Sequence, residues 1–476
     1  MLYMEGLQPI NRLYFHPLSI IYPKGEIFME KITLIALIIF AVTYVLMMAF
    51  QKIRPYVAVG GALIFIGLGI AAGANPELFG SFSYTPLDAL KEIDWNVIMM
   101  IAGTMGTVYL FIESKMPQLM SDVLISKVSS VKWVVVALSL FAGIVSAFVD
   151  NVATVLMIAP VALAFCKKLN ISPVSSIICI AISSNLQGAA TLVGDTTSIL
   201  LAKAANLDFS DFFVDDGKAG MFWVVEAGAV VSAFIILFMF RKENNPIEFS
   251  GRTKVEDLFP TFLLCGTVVA LIAVSFIPYK DAAAEGQFYK PDITNGLICM
   301  AFFAVGIIRE LLIKKNKDIV KDAFKEIDYY TIILLAGLFI VIGGVKNAGV
   351  VDFLGNKIAS LGNGSVFIVY TIIVWMSVLL SAFIDNIPYT ATMLSLVPVI
   401  AAGVGVEPKV LYYGLLCGAT LGGNLTPIGA SANIAGIGIL RKEGYEVKSS
   451  TFMKFGVPFT LAAVITGYLM IWFIWK

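Results

Sequence analysis

SAFVDN (residues 146–151) and SAFIDN (381–386) place the same Asp-Asn pair in the middle of two long apolar runs, one from Lys132 and one from Val366. Each run extends for roughly 35 residues, well beyond the ~20 that cross a hydrocarbon core. A polar break at the centre of such a run predicts a re-entrant hairpin, with Asp150-Asn151 and Asp385-Asn386 at the tips. Two further matches share their spacing. DALKEID (88–94) pairs with DAFKEID (322–328), and GAATLVG (188–194) with GNLTPIG (423–429), at offsets of 234 or 235. Three matches in register that include charged residues indicate a duplicated half.

The composition sets the class. The 476 residues are 59% hydrophobic and 14% charged, with mean hydropathy +0.88, far from the soluble norm of about a quarter charged. Apolar runs begin near Ile32, Tyr56, Asn96, Lys132, Pro173, Lys218, Leu258, Ile293, Tyr330, Val366, Lys409 and Phe455. The expectation is an all-α polytopic membrane protein of two repeats, each with three spans, a re-entrant hairpin, a broken helix and a final span. Such a half crosses five or seven times; both numbers are odd, so the halves should have opposite topology.

The divisions that follow are an N-terminal extension at 1–31, a first repeat at 32–240, a cytoplasmic linker at 241–257 and a second, inverted repeat at 258–476. Met29-Glu30-Lys31 directly precedes the first span and suggests a start codon there. With the N-terminus outside, 21 of the 33 basic residues fall in inner loops, which by the positive-inside rule puts both termini outside a bacterial-type inner membrane.

Basic and acidic residues balance at 33 each, so no basic field suggests nucleic acid. His16 is the only histidine, and Cys166, Cys179, Cys265, Cys299 and Cys417 lie in apolar runs without CxxC spacing. They read as buried free thiols rather than a disulfide or zinc framework. No HExxH, GxSxG or nucleotide-binding loop occurs, which argues against an enzyme. The missing Walker A motif means that any ATP drive would need a separate ATPase subunit.

An ionised carboxylate at membrane depth usually faces a cavity or a partner. Asp150, Asp385 and Asp195 are in that position. The competing reading is a helix cap, which can coexist with an ion site. Glycine-interrupted stretches at 183–197 and 422–433 bring Asn185, Gly188, Thr191, Gly194, Asp195, Thr196, Asn424, Thr426, Gly429, Ser431 and Asn433 to the same depth; Thr154 and Thr390 follow the two tips. Unwound backbone there is tolerated where it is buried or lines a wet cavity. No Lys or Arg lies in either tip or interruption, so the site is expected to hold three carboxylates and no fixed cation. Na⁺ would find ligands at Asp150, Asn151, Asp385 and Asn386. Because desolvation penalises an ionised carboxylate, H⁺ coupling is the other expectation; no cofactor is expected beyond such a coupling ion.

SAFVDNVATVLMIAPV, SAFIDNIPYTATM and GGNLTPIGASANI with its downstream GILRKEGYEVKSSTFMKFGVP resemble the ion transporter superfamily, in its P protein-like and arsenite/antimonite efflux permease branch, over residues 32–476. The resemblance implies elevator-type alternating access by a scaffold and a transport unit, with a homodimer as the common assembly. The superfamily's divalent anion:sodium symporters carry Ser-Asn-Thr at the tips, unlike Asp150-Asn151-Val152 and Asp385-Asn386-Ile387. The nearer branch has Gly-Asp-Pro-Pro-Asn in its first broken helix, where this chain has Gly194-Asp195-Thr196-Thr197-Ser198, so an Asn ligand becomes Ser198.

The expected function is H⁺- or Na⁺-coupled secondary transport of a small inorganic ion, by cation/proton antiport or by efflux of arsenite or another oxyanion. The alternatives are a Na⁺-coupled di- or tricarboxylate symporter of the citrate or succinate kind and, in another class, a passive anion channel.

Overall fold

The computed structural model describes residues 31–75, 79, 82–246, 252–255, 257–280 and 287–476. Most of the N-terminal extension, including His16, and residues 247–251 and 256 of the linker lie outside them. The first half runs α1 (Lys31–Ala49), α2 (Arg54–Ala74), α3 (Pro86–Glu92), α4 (Trp95–Glu113), α5 (Met116–Ser126), α6 (Val131–Ser146), α7 (Asn151–Lys168), α8 (Val174–Gly188), α9 (Thr196–Ala205) and α10 (Met221–Met239). A small antiparallel hairpin, β1 (Val214–Asp215) and β2 (Lys218–Ala219), precedes α10. The second half runs α11 (Phe259–Ser275), α12 (Thr294–Leu312), α13 (Lys317–Lys325), α14 (Tyr329–Asn347), α15 (Val350–Leu361), α16 (Val366–Ser381), α17 (Asn386–Val404), α18 (Lys409–Gly422), α19 (Ser431–Lys442) and α20 (Ser449–Trp475).

The order of elements therefore repeats. Helices α4 and α14 begin at Trp95 and Tyr329, and α7 and α17 at Asn151 and Asn386, keeping the offset of 234 to 235. The packing repeats with the halves exchanged. α2 packs on α14 while their counterparts α12 and α4 pack on each other, and α9 on α17 mirrors α19 on α7. Among the described residues nine helical segments are long and apolar enough to cross a membrane. This is a polytopic, nearly all-helical membrane protein.

Local chemistry explains why the charged motif recurs. Asp94 and Asp328, the last residues of DALKEID and DAFKEID, are N-caps: Asp94 Oδ1 accepts from Val97 N at 3.0 Å and Asp328 Oδ1 from Thr331 N at 3.0 Å. Each satisfies an amide that a helix start leaves orphaned. In the first half the motif's first aspartate, Asp88, completes a capping box with Thr85 at the head of α3.

Two pairs of helices were not anticipated. α3 and α13 are short, with one buried residue each, Ala89 and Ala323. α5 and α15 precede α6 and α16, and α15 meets α16 at 115°. All are too short to register as spans by hydropathy. The final helix begins at Ser449, six residues before its apolar run, and Cys265 is exposed rather than buried. It lies on α11, where only Pro260, Leu263, Thr267 and Leu271 are buried; an apolar thiol suits such a face.

The broken helices form the centre of the molecule. Every residue from Ser176 to Gly188 on α8 and from Val410 to Gly422 on α18 is buried, as expected for helices enclosed on all sides.

Candidate functional site

Both Asp-Asn tips start helices. Asp150 caps α7, its Oδ1 accepting from Val152 N at 3.0 Å and Ala153 N at 3.2 Å. Asp385 caps α17, accepting from Ile387 N at 3.1 Å. Capping is thus part of their role, and it leaves Asp150 Oδ2 without a hydrogen bond among the described residues.

The expectation of a site without a fixed cation fails at the second tip. Arg54, at the head of α2, reaches Asp385 Oδ2 at 2.9 Å, with both side chains only 12% exposed. The sequence conceals this because Arg54 lies 331 residues away on another helix. No ion pair involves Asp150 among the described residues, so the two tips, alike in sequence, differ electrostatically.

Each unwound stretch is fastened to the adjacent tip by backbone contact. The Thr191 hydroxyl donates to the Ala147 carbonyl and that of Thr426 to the Ala382 carbonyl. A Cβ on Gly194 would meet Gly188 O at 2.5 Å and Ser146 O at 2.6 Å; one on Gly429 would meet Gly423 O at 2.5 Å and both Ala382 O and Ser381 O at 2.9 Å. Only glycine permits that approach. Thr191, Gly194, Thr426 and Gly429 therefore tie tip to break instead of lining the cavity.

Asparagines join the two breaks to each other. Asn185 Nδ2 donates to Thr420 O at 2.9 Å and Asn424 Oδ1 at 3.1 Å, while Asn424 Nδ2 returns to Ile182 O at 2.9 Å. Asn151 Nδ2 extends this network to Asn185 Oδ1 at 3.0 Å. In the second break Asn433 Nδ2 bridges Gly423 O at 3.1 Å and Thr426 O at 3.2 Å. Its counterpart by the 235-residue offset is Ser198, whose buried hydroxyl has no partner. The first break lacks that stitch.

What remains of the expected set meets at one cavity of about 230 Å³. Asp150, Asn151, Asp195, Thr196, Asn386 and Ser431 line it. Asn151, Thr196, Asn386 and Ser431 are the first residues of α7, α9, α17 and α19, so four helix N-termini converge there. Thr154, Asn185, Gly188, Asp385, Thr390, Asn424 and Asn433 stand behind this surface, as do the four tip-to-break residues. α4, α14 and the approach to α14 add Tyr109, Glu326, Asp328 and Thr331 to the wall, together with the apolar Met105, Val108 and Ile112. Glu326 and Asp328 both belong to the repeated DAFKEID motif, which is the signal that could have found them. The proposed Na⁺ set is divided, since Asp150, Asn151 and Asn386 face this cavity and Asp385 faces Arg54.

A duplicated bundle of apolar helices that brings the starts of α7 and α17 and the breaks ahead of α9 and α19 to one cavity lined by four carboxylates is the architecture of a membrane transporter. The profile of the citrate transporter family matches residues 35–418. The chain belongs to that family. It is 29% identical over 447 residues to an uncharacterized transporter of Mycobacterium tuberculosis, covering 92% of this chain and 98% of that one. It is 24% identical over 525 residues to the human P protein, covering 94% of this chain and 61% of that one. Among solved structures, the YdaH transporter of Alcanivorax borkumensis matches with TM-score 0.59 at 13% identity, covering 93% and 97% of the two chains. The MtrF protein of Neisseria gonorrhoeae, described as illuminating a class of antimetabolite efflux pumps, matches at 0.56 and 14%, covering 87% and 94%. These two show likeness of fold alone; the citrate transporter family match and the likeness to the P protein are together consistent with the P protein-like branch of the ion transporter superfamily.

Proposed function

We propose that the chain is a secondary active transporter of an inner membrane, with both termini outside, that couples a small-ion cargo to H⁺ or Na⁺. The observation that carries this reading is the charge inventory of the cavity. Four carboxylates, Asp150, Asp195, Glu326 and Asp328, line it without a Lys, Arg or His. Four helix N-termini contribute roughly +0.5 each, and Asp150 and Asp328 both cap a helix, so the wall stays net negative and suits a cation. The coupling cation binds at the Asp150 tip, because Asp385 is already neutralised by Arg54.

Elevator motion accounts for the division of the wall. Tips and breaks come from α6–α10 and α16–α20, whereas Tyr109, Glu326 and Asp328 come from the other block. Sliding one against the other, with the halves in opposed topology, would carry the cavity across the bilayer. A homodimer would hold the scaffold still.

The carboxylate reading is favoured by the same helix N-termini, which suit an anion once a cation has entered, and by the family's description as citrate transporters. Thermal stabilisation of the purified protein separates the two. A ligand at 100 times its Kd adds about 2.7 kcal/mol to the folded state. Stabilisation by Na⁺, Li⁺ or a pH step, absent in Asp150→Asn, supports the small-ion reading. Stabilisation by citrate or succinate that requires Na⁺ would transfer the assignment to a carboxylate symporter, and arsenite alone would indicate efflux of that species. Single-channel currents without stoichiometric coupling would replace both with a channel.

A further inference from the structure

We propose that Glu226, on the membrane span α10 and outside the cavity, is a second proton-binding site, read by the amide of Gln187 at the end of α8. Glu226 is the only acidic residue within α10. Carboxylates in apolar spans are retained at a cost and mark proton or ion traffic. Its hydrogen-bonding partner is neutral: Gln187 Nε2 lies 2.9 Å from both carboxylate oxygens. α10 packs against α6, α8, α20 and β2. The titratable groups on those elements are Lys132, Cys179, Lys454, Tyr468 and Lys218, and none forms a hydrogen bond or ion pair with Glu226 among the described residues.

The second observation is on the glutamine. Gln187 is 1% exposed, and its Oε1 is buried with no partner. An ionised carboxylate has only acceptors to offer and cannot satisfy that oxygen. A protonated one can. Rotation of the amide lets the Glu226 O–H donate to Oε1 while Nε2 donates to the carboxyl C=O, so both groups are paired. The step is simple protonation, Glu226 COO⁻ plus H⁺ giving COOH, with one amide rotation and no other reactant.

The space for this amide is specific to the first half. A Cβ on Gly143 would lie 1.3 Å from Gln187 Oε1. At the equivalent contact of the second half the sizes are exchanged: Val378 stands for Gly143 and Gly422 for Gln187, with a Gly422 Cβ meeting Val378 Cα at 2.6 Å. The second half fills the contact with a valine; the first uses it to send a polar group to Glu226. Gln187 adjoins Gly188, where α8 ends and the break begins, so the protonation state is communicated to the broken helix.

Infrared spectra of the full-length protein in lipid near neutral pH test the assignment, independently of what the cavity binds. Wild type should show a protonated-carboxyl C=O stretch that Glu226→Gln removes and Gln187→Leu shifts. Identical carboxyl bands in wild type and Glu226→Gln would overturn it. Should Glu226→Gln fail to fold, a hydrophobic carbodiimide, which reacts with protonated carboxyls, is applied to the native protein and mapped by mass spectrometry. Label on Glu226 that declines as pH rises is the expected result. A Glu226 peptide without label across the acidic-to-neutral range would overturn the proposal.

Discussion

Replacing Arg54 with methionine should destabilise the protein far more than the loss of one surface charge would. The guanidinium lies 2.9 Å from Asp385 with each side chain 12% exposed, so the variant strands a carboxylate in a largely dry setting. Removing one partner of a buried pair costs about 3–5 kcal/mol. The residual exposure and the surviving cap from Asp385 to Ile387 N place the expected loss near the lower bound, about 3 kcal/mol. Asp385→Asn retains an oxygen for the cap but leaves the Arg54 guanidinium, among the described residues, with its Nε bond to Met47 O at 3.2 Å, and should cost about 2 kcal/mol. The double variant strands neither charge. Its penalty should fall well below the sum of the single ones, with a coupling energy of about 2 kcal/mol. Unfolding titrations in mixed micelles give the four stabilities. Additive penalties, with coupling near zero, would refute the argument that this pair neutralises the second tip.

Four further outcomes follow. Gly194→Ala and Gly429→Ala drive a methyl into backbone carbonyls at about the 2.5 Å approaches found here and should each lose about 3 kcal/mol, measurable as a fall in apparent Tm. Ser198→Asn supplies the first break with the stitch that Asn433 makes in the second, and should raise stability by about 1–2 kcal/mol; an unchanged Tm would count against the correspondence. Asn185→Leu removes the group joining Asn151, Thr420 and Asn424 and should cost about 2–4 kcal/mol, most of it regained by no single second substitution. On the linker, burial opposes ionisation of Asp257, but hydrogen bonds from Arg309 and Lys314 outweigh it and hold the carboxyl at about 2. Its folded value lies below the unfolded ~3.9, so the contribution is complete above about pH 4 and disappears as pH falls toward 2. Asp257→Asn should therefore cost about 1 kcal/mol at neutral pH and progressively less in acid.

The duplication, the helix starts at Asp150 and Asp385 and the breaks were legible because a polar residue in an apolar run is a local anomaly, and a constant offset turns local anomalies into a pattern. The 234-residue spacing of Asp94 and Asp328 marks the motif in the sequence, and the fold shows that both residues cap helices. What the sequence withheld was contact between distant elements. Nothing local to Asp385 announces Arg54, and nothing local to Thr191 or Thr426 reveals that their hydroxyls are consumed by the carbonyls of Ala147 and Ala382. Residue type alone assigns such a threonine to ligand and to scaffold equally well. The helices α3, α5, α13 and α15 are hidden for a different reason: a helix of about two to three turns beside a span does not interrupt the hydropathy that identifies the span. Gln187 and Glu226 drew no attention because each is unremarkable until the fold brings them together, 39 residues apart.

The central claim is that cation binding at the Asp150 tip drives transport. Proteoliposomes holding wild-type protein, given an imposed H⁺ or Na⁺ gradient, should show cargo flux that follows the gradient in fixed stoichiometry, with Asp150→Asn abolishing the coupling. Gradient-driven flux that survives unchanged in Asp150→Asn would contradict the account.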